Sequence, residues 1–193
     1  MAHPPDSDLL TDKDDVSIAL DELSQAVRSV PATTLDLIAE EIVHANVVAA
    51  FAGGREGLVM RGLIMRLFHA GIDAHYVGEM TTPAVGKGDL LILSCGPGNI
   101  SMVMALAGVA KNAGARILYL TAEPDTTPAE LADTVVLINA QTMANDTGPE
   151  TVLPMGSGFE IAEFVFVDLI TNRVRKLRAE SSDLMRSRHT NLE

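Results

Sequence analysis

The pattern of apolar and polar positions changes character near residue 45. Before that point it runs at helical spacing. "VSIALDELSQAVRSV" sets Ile18, Leu20, Leu23, Val27 and Val30 on a helical repeat that Pro31 ends. "TTLDLIAEEIVHA" repeats it with Leu35, Ile38, Ile42 and Val43, and Thr33 or Thr34 is the expected N-cap. These two helices are expected to form an N-terminal hairpin or arm. Beyond them, short continuous apolar runs take over. "NVVAAFA", "IDAHYVG", "GDLLILS", "ARILYLT" and "TVVLIN" read as five strands.

Helical stretches separate most of the strands. "GGREGLVMRGLIMRLFHAG" is a glycine turn opening a helix that closes at Gly71. A second helix runs from Ser101 to Gly114, "TPAELAD" is a short third, and "GFEIAEFVFVDLITNRVRKLR" is a long last one. The second and third strands are linked by the proline-bearing "EMTTPAVGK" instead. Continuous apolar strands alternating with helices predict an α/β fold with a parallel sheet covered on both faces. "AQTMANDTGPETVLPMGS" has no periodicity, and an unstructured loop of that size in a compact domain is often functional.

The rest of the chain gives the domain plan. Residues 1–193 read as one domain, with a mobile polar start over 1–14 and helices over 15–45. The α/β core covers 46–180, and a polar tail follows over 181–193.

In open parallel sheets, ligands bind beyond the carboxyl ends of the strands, near a topological switch point. Two glycine turns fall on that edge, "AGGREG" after the first strand and "SCGPGNIS" after the third. Such turns gather backbone N–H groups at a helix start and suit an anion.

Charge narrows the partners. The formal net charge is −12, which argues against nucleic acid or an anionic membrane. A small anion is still allowed, because a few N–H groups and one Arg can oppose the global sign. Cys95 is the only cysteine, so no intramolecular disulfide forms, which fits the cytoplasm. No signal peptide or membrane-spanning run is apparent.

Several residues carry competing readings. "AGGREG" is a degenerate half of a dinucleotide fingerprint with Glu79 as its acid, or simply a tight turn. Arg55 sits at a helix start, where a cation calls for a nearby anion; a pair with Glu56 is the alternative. His69 near a helix end and Glu160 in a helix first turn both fit ordinary dipole matching. His75 and Cys95 read as strand or strand-end residues, and Cys95 has no sequence-local base to make it a nucleophile. Met60, Met65, Met102 and Met104 read as core filling.

Assembled, these stretches resemble the sugar isomerase (SIS) domain proteins, and among them the 6-phospho-3-hexuloisomerase family. "AGGREG" stands for that family's G-A-G-R-S-G, and "MRLFHAG", "VGEMTTP", "GKGDLLILS" and "PMGSGFE" follow in order. The end, "RHTNLE", matches a closely similar R-H-A-N-L-E. The resemblance implies a three-layer α-β-α sandwich with a five-stranded parallel sheet, and a cytoplasmic homotetramer with active sites between subunits. It implies interconversion of 3-hexulose 6-phosphate and fructose 6-phosphate through an enediol, with no cofactor and no metal. By position, Glu160 is then the base, and His69 of a neighbouring subunit assists ring opening or oxygen protonation. Substrate contacts fall on Gly53, Gly54, Arg55 and Glu56, and on Cys95, Gly96, Pro97, Gly98, Asn99 and Ser101. His189 and Glu193 belong to a possible interface or site.

The departures are local. Where the family's second loop reads S-G-S-G-E-T-S, this chain has Cys95, Pro97 and Ile100 at hydroxyl positions, and Pro97 also removes an N–H donor. Glu56 replaces a serine beside the expected phosphate, where like charges repel by several kcal/mol at ~4 Å if the effective dielectric is about 20. The reading is an isomerase with a weakened phosphate grip and a substrate that can differ from the family's. A non-catalytic phosphosugar-binding module and a nicotinamide-dependent oxidoreductase are the rivals.

Overall fold

The computed structural model describes residues 13–146 and 151–192. Of the start expected to be mobile, residues 1–12 lie outside the described residues, as does Glu193. Asp14, at the end of that segment, already belongs to a helix.

Helices α1 (Lys13–Arg28) and α2 (Ala32–His44) precede strand β1 (Val48–Ala52). Then come α3 (Glu56–His69), β2 (Ala74–Tyr76), β3 (Leu90–Ser94) and α4 (Ser101–Ala113). The chain continues through β4 (Arg116–Thr121), α5 (Thr127–Leu131), β5 (Thr134–Leu137), α6 (Ser157–Leu177) and α7 (Ser182–Ser187). The strands form one all-parallel sheet in the order β2-β1-β3-β4-β5.

Alternation along the strands divides the core. Val48, Ala50, Leu90, Ile92, Leu118 and Leu120 face a layer built from α1, α2, α3 and α6. Ala49, Leu91, Leu93, Ile117 and Tyr119 face α4 and α5 on the other side. Both faces are therefore buried, which is why the strands read as continuous apolar runs. Phe159 and Phe166 of α6 are each only 1% exposed, and truncating either to Ala should cost about 3–5 kcal/mol.

The N-terminal helices are not a free arm. Both pack along α6, and Arg173 of α6 meets Asp36 of α2 at 2.7 Å. The expected threonine cap of α2 is corrected. Pro31 stands at the N-cap with ψ 143, and Thr33 and Thr34 lie inside the helix. The fixed φ of proline sets the helix entry directly and asks for no N–H partner.

The polar tail also holds structure that its composition hid. The Ser181 hydroxyl accepts from Leu184 N–H at 3.1 Å and starts α7. Arg188 then donates to the His69 carbonyl and to Glu180, both at 2.9 Å. Among the described residues no helix is long and apolar enough to cross a membrane.

The sheet order puts the switch point between β1 and β3. In their register Ala52 stands beside Ser94, so the two glycine turns leave the sheet side by side.

Candidate active site

Arg55 stands at the N-cap position of α3 and reaches across to the start of α6. Its Nη1 lies 2.8 Å from Glu160 Oε2 and donates to Ser157 Oγ at 2.8 Å. The partner of Arg55 is thus Glu160, not the adjacent Glu56. Burial raises the Glu160 carboxyl above the usual carboxylate range, and the Arg55 guanidinium opposes that rise.

Glu56 turns inward from the first turn of α3 and is only 8% exposed. The Ser94 hydroxyl donates to its Oε2 at 2.6 Å, and the Gly96 N–H points at both carboxylate oxygens, 3.1 Å from each. A loop donor that could hold a phosphate therefore already holds a carboxylate. Arg61 of the same helix lies over the Tyr76 ring, 3.8 Å from its centroid.

A third carboxylate, Glu163, approaches from the next turn of α6. It is fully inaccessible, and neither of its oxygens has a hydrogen-bond partner. Burial, reinforced by Glu56, pushes its carboxyl well above the ordinary range. The Glu56 carboxyl is raised too, again chiefly by burial, against the bonds from Ser94 and Gly96.

The second loop is held from below. Tyr119 donates to the Gly98 carbonyl at 2.6 Å and Thr121 to the Cys95 carbonyl at 2.8 Å, both from β4. Close packing explains two glycines. A Cβ on Gly96 would come within 2.8 Å of the Phe159 ring, and one on Gly57 within 2.8 Å of the Ala52 carbonyl. Cys95 is fully buried, and burial pushes its thiol up to about 11, which disqualifies it as a nucleophile at neutral pH.

Between the two turns lies a cleft of about 230 Å³. Gly53, Gly54, Arg55, Glu56, Gly96, Pro97 and Glu160 from the expected set line it. Gly98 is buried beneath, against Thr126 and Glu123, while Asn99 and Ser101 are exposed at the approach to α4. The cleft also takes Ile100, Phe159 and, from the long aperiodic loop, Thr142, Met143, Met155 and Gly156. Sequence reasoning missed these loop residues, whose only signal was the loop's length. A larger groove of about 360 Å³ with Glu40, Glu41 and Arg116 lies under the opposite, N-terminal edge of the sheet, away from the glycine turns.

His69 is not in this cleft. It ends the 14-residue α3, roughly 20 Å along the helix axis from Arg55. There its ring stacks on His189 with centroids 5.2 Å apart. Within one chain, the expected base Glu160, paired with Arg55 at the start of α3, and the expected acid His69, at the end of α3, are separated by about the length of that helix.

No family model matches the chain. Curated relatives do. A 3-hexulose-6-phosphate isomerase from Mycobacterium gastri is 35% identical over 92% of this chain and 89% of its own. One from Bacillus subtilis is 30% identical over 92% of this chain and 97% of its own. A crystal structure of a hypothetical protein from Methanococcus jannaschii, inferred to be a 3-hexulose-6-phosphate isomerase, superposes with a TM-score of 0.82. It is 29% identical and covers 93% of this chain and 99% of that one.

The fold and these relatives define a sugar phosphate isomerase of the SIS class. More narrowly, the chain belongs to the 3-hexulose-6-phosphate isomerase family. The alternative of a non-catalytic binding module is not favoured.

Proposed function

We propose that this chain interconverts 3-hexulose 6-phosphate and fructose 6-phosphate, or a closely related ketose phosphate pair, with Glu160 as the base. The observation that carries the reading is the Glu160 carboxylate at the cleft wall, partly desolvated and oriented by Arg55 at 2.8 Å. A base of raised pKa holds an abstracted proton better, and its reach is fixed by the guanidinium. Glu160 takes the proton from the carbon next to the carbonyl, leaving an enediol. The same carboxyl then returns it to the neighbouring carbon, so no redox partner is needed.

The oxygens of the enediol need a second proton carrier. His69 of a neighbouring subunit fits that role, and its distance from Glu160 within one chain supports a site shared between subunits. Exposed Leu58, Phe68, Phe164 and Val165 on α3 and α6 supply apolar surface for such an assembly, for which we propose a tetramer. A cytoplasmic setting is supported by the single buried thiol of Cys95.

Converting 3-hexulose 6-phosphate to fructose 6-phosphate in a coupled assay tests this reading. Product should accumulate without added cofactor. A folded, assembled protein that leaves the substrate unchanged would overturn it.

A further inference from the structure

Glu163 serves no step in this chemistry, yet it places a carboxyl where burial is most costly. An ionised carboxylate without hydrogen bonds is too expensive to keep in a protein interior, and such a group holds a proton instead. Both of its oxygens lack a partner, and among the described residues no Lys or Arg pairs with it or with Glu56. Arg55, the cation of the site, is engaged with Glu160. Around the two carboxyls stand Ser94 and Cys95 from the end of β3, Glu160 from α6, and the Gly96 N–H.

Ser94 sits between the pair. It lies near enough to Glu163 to influence its titration, but its one hydrogen is donated to Glu56 at 2.6 Å. That leaves the Ser94 oxygen able to accept. A protonated Glu163 that turned its hydroxyl toward it would complete a chain of donors from Glu163 through Ser94 to Glu56.

We infer that Glu163 and Glu56 hold a single proton between them through Ser94, and that binding of a phosphosugar draws a second proton into this pair. The inference rests on the phosphosugar reading above. With one proton, Glu56 is a carboxylate at the Gly96 N–H and repels an incoming phosphate. With two, Glu56 is neutral, its repulsion is removed, and its own O–H can donate to a phosphate oxygen. Glu163 is here a positioning residue that sets the charge of Glu56, and Glu56 sets phosphate affinity.

Two measurements on the full-length protein test this. The first needs no ligand: carboxyl 13C NMR or isotope-edited infrared spectra at neutral pH, for wild type and Glu163→Gln. A protonated carboxyl is expected in the wild type and should vanish in the variant, which keeps the side-chain shape. A wild type with every glutamate ionised overturns the shared proton.

The second is calorimetry of fructose 6-phosphate binding in buffers of different ionisation enthalpy. At about pH 8 the phosphate, with a second pKa of ~6, arrives as a dianion. Uptake approaching one proton is expected, with affinity falling up to tenfold for each unit of rising pH. Glu56→Ser should bind without that uptake. Binding by the wild type with no proton uptake overturns the linkage. Failure of both wild type and Glu56→Ser to bind any phosphosugar would instead sink the phosphosugar reading, while the spectra still decide the shared proton.

Discussion

Arg55 Nη1 lies 2.8 Å from Glu160 Oε2, so the cation expected to hold an anion and the carboxylate expected to take a proton are already joined. The pair ties the glycine turn after β1 to the start of α6. With Glu160 as the proposed base, the pair should also bear on the working pH. Burial raises the Glu160 carboxyl and Arg55 opposes this, so Arg55→Leu leaves burial unopposed and Glu160 protonated to higher pH. The acidic limb of the kcat/KM profile should therefore move in the alkaline direction. An unmoved limb in a folded variant would show that Glu160 is not the group titrating.

Removing the proposed base should be severe. Glu160→Gln is expected to lower kcat by about two to four decades, the usual span for loss of a general base. Thermal stability should hardly change, because the glutamate is a partly solvated first-turn residue. Near-native turnover in the Gln protein would remove Glu160 from the mechanism.

Glu56→Ser should tighten phosphosugar binding, by roughly tenfold for each 1.4 kcal/mol of repulsion relieved. It also frees the Gly96 N–H, now 3.1 Å from both carboxylate oxygens, to meet a phosphate. Titration of fructose 6-phosphate into both proteins checks this. If the wild type already binds at micromolar levels and the Ser protein gains nothing, Glu56 does not weaken the phosphate grip.

Glu163 links stability to pH. Its folded-state carboxyl lies well above the ordinary value, so its contribution is fully present below about pH 4.3 and is lost as pH rises through the folded value. Glu163→Gln, neutral throughout, should lose less stability over that window. The two melting curves should diverge toward alkaline pH, by about 2–4 °C for each kcal/mol in a chain of this size. Parallel Tm profiles would mean that the Glu163 carboxyl titrates in the native state as it does in the unfolded chain, so that burial does not raise it.

Light scattering should report a multimer, with a tetramer expected. Leu58 and Phe164 are 66% and 51% exposed on neighbouring helices, and Leu58→Glu with Phe164→Glu should dissociate it. Deleting "RHTNLE" removes Arg188 and His189, which hold the end of α3 at the His69 carbonyl and ring. Activity should fall with it. A monodisperse monomer with full activity would contradict the shared-site arrangement.

The layering was legible in the chain because the central strands are apolar on both faces and the long helices carry a buried stripe. The two glycine turns could also be found, since loops at the carboxyl edge of such a sheet must converge, while Arg55, Glu56 and Glu160 were brought to one site only by the family resemblance. What Glu56 does was not legible. A glutamate in a first turn can point to solvent or to the core, and the outcome depends on Ser94 and Gly96, some forty residues away in the chain. Glu163 carried a signal that went unread: it shares the inward stripe of α6 with Phe159 and Phe166, where a charge is out of place. The helical cap at Pro31 and the short helix α7 escaped because both depend on local backbone geometry that residue type constrains weakly.

The long loop gives the cleft a methionine rim. Met143 and Met155 are 63% and 67% exposed while lining the same cavity as Glu160. Exposed thioethers are the ones that peroxide reaches first, and each sulfoxide is a bulkier, polar and chiral group. Met80 is more exposed still but lies outside that cavity, so the oxidative damage that costs activity should fall on Met143 and Met155, lowering substrate entry while the buried Met60 and the fold around it stay intact. Peptide mapping after mild peroxide treatment, read against residual activity, would show whether those two positions set its working lifetime.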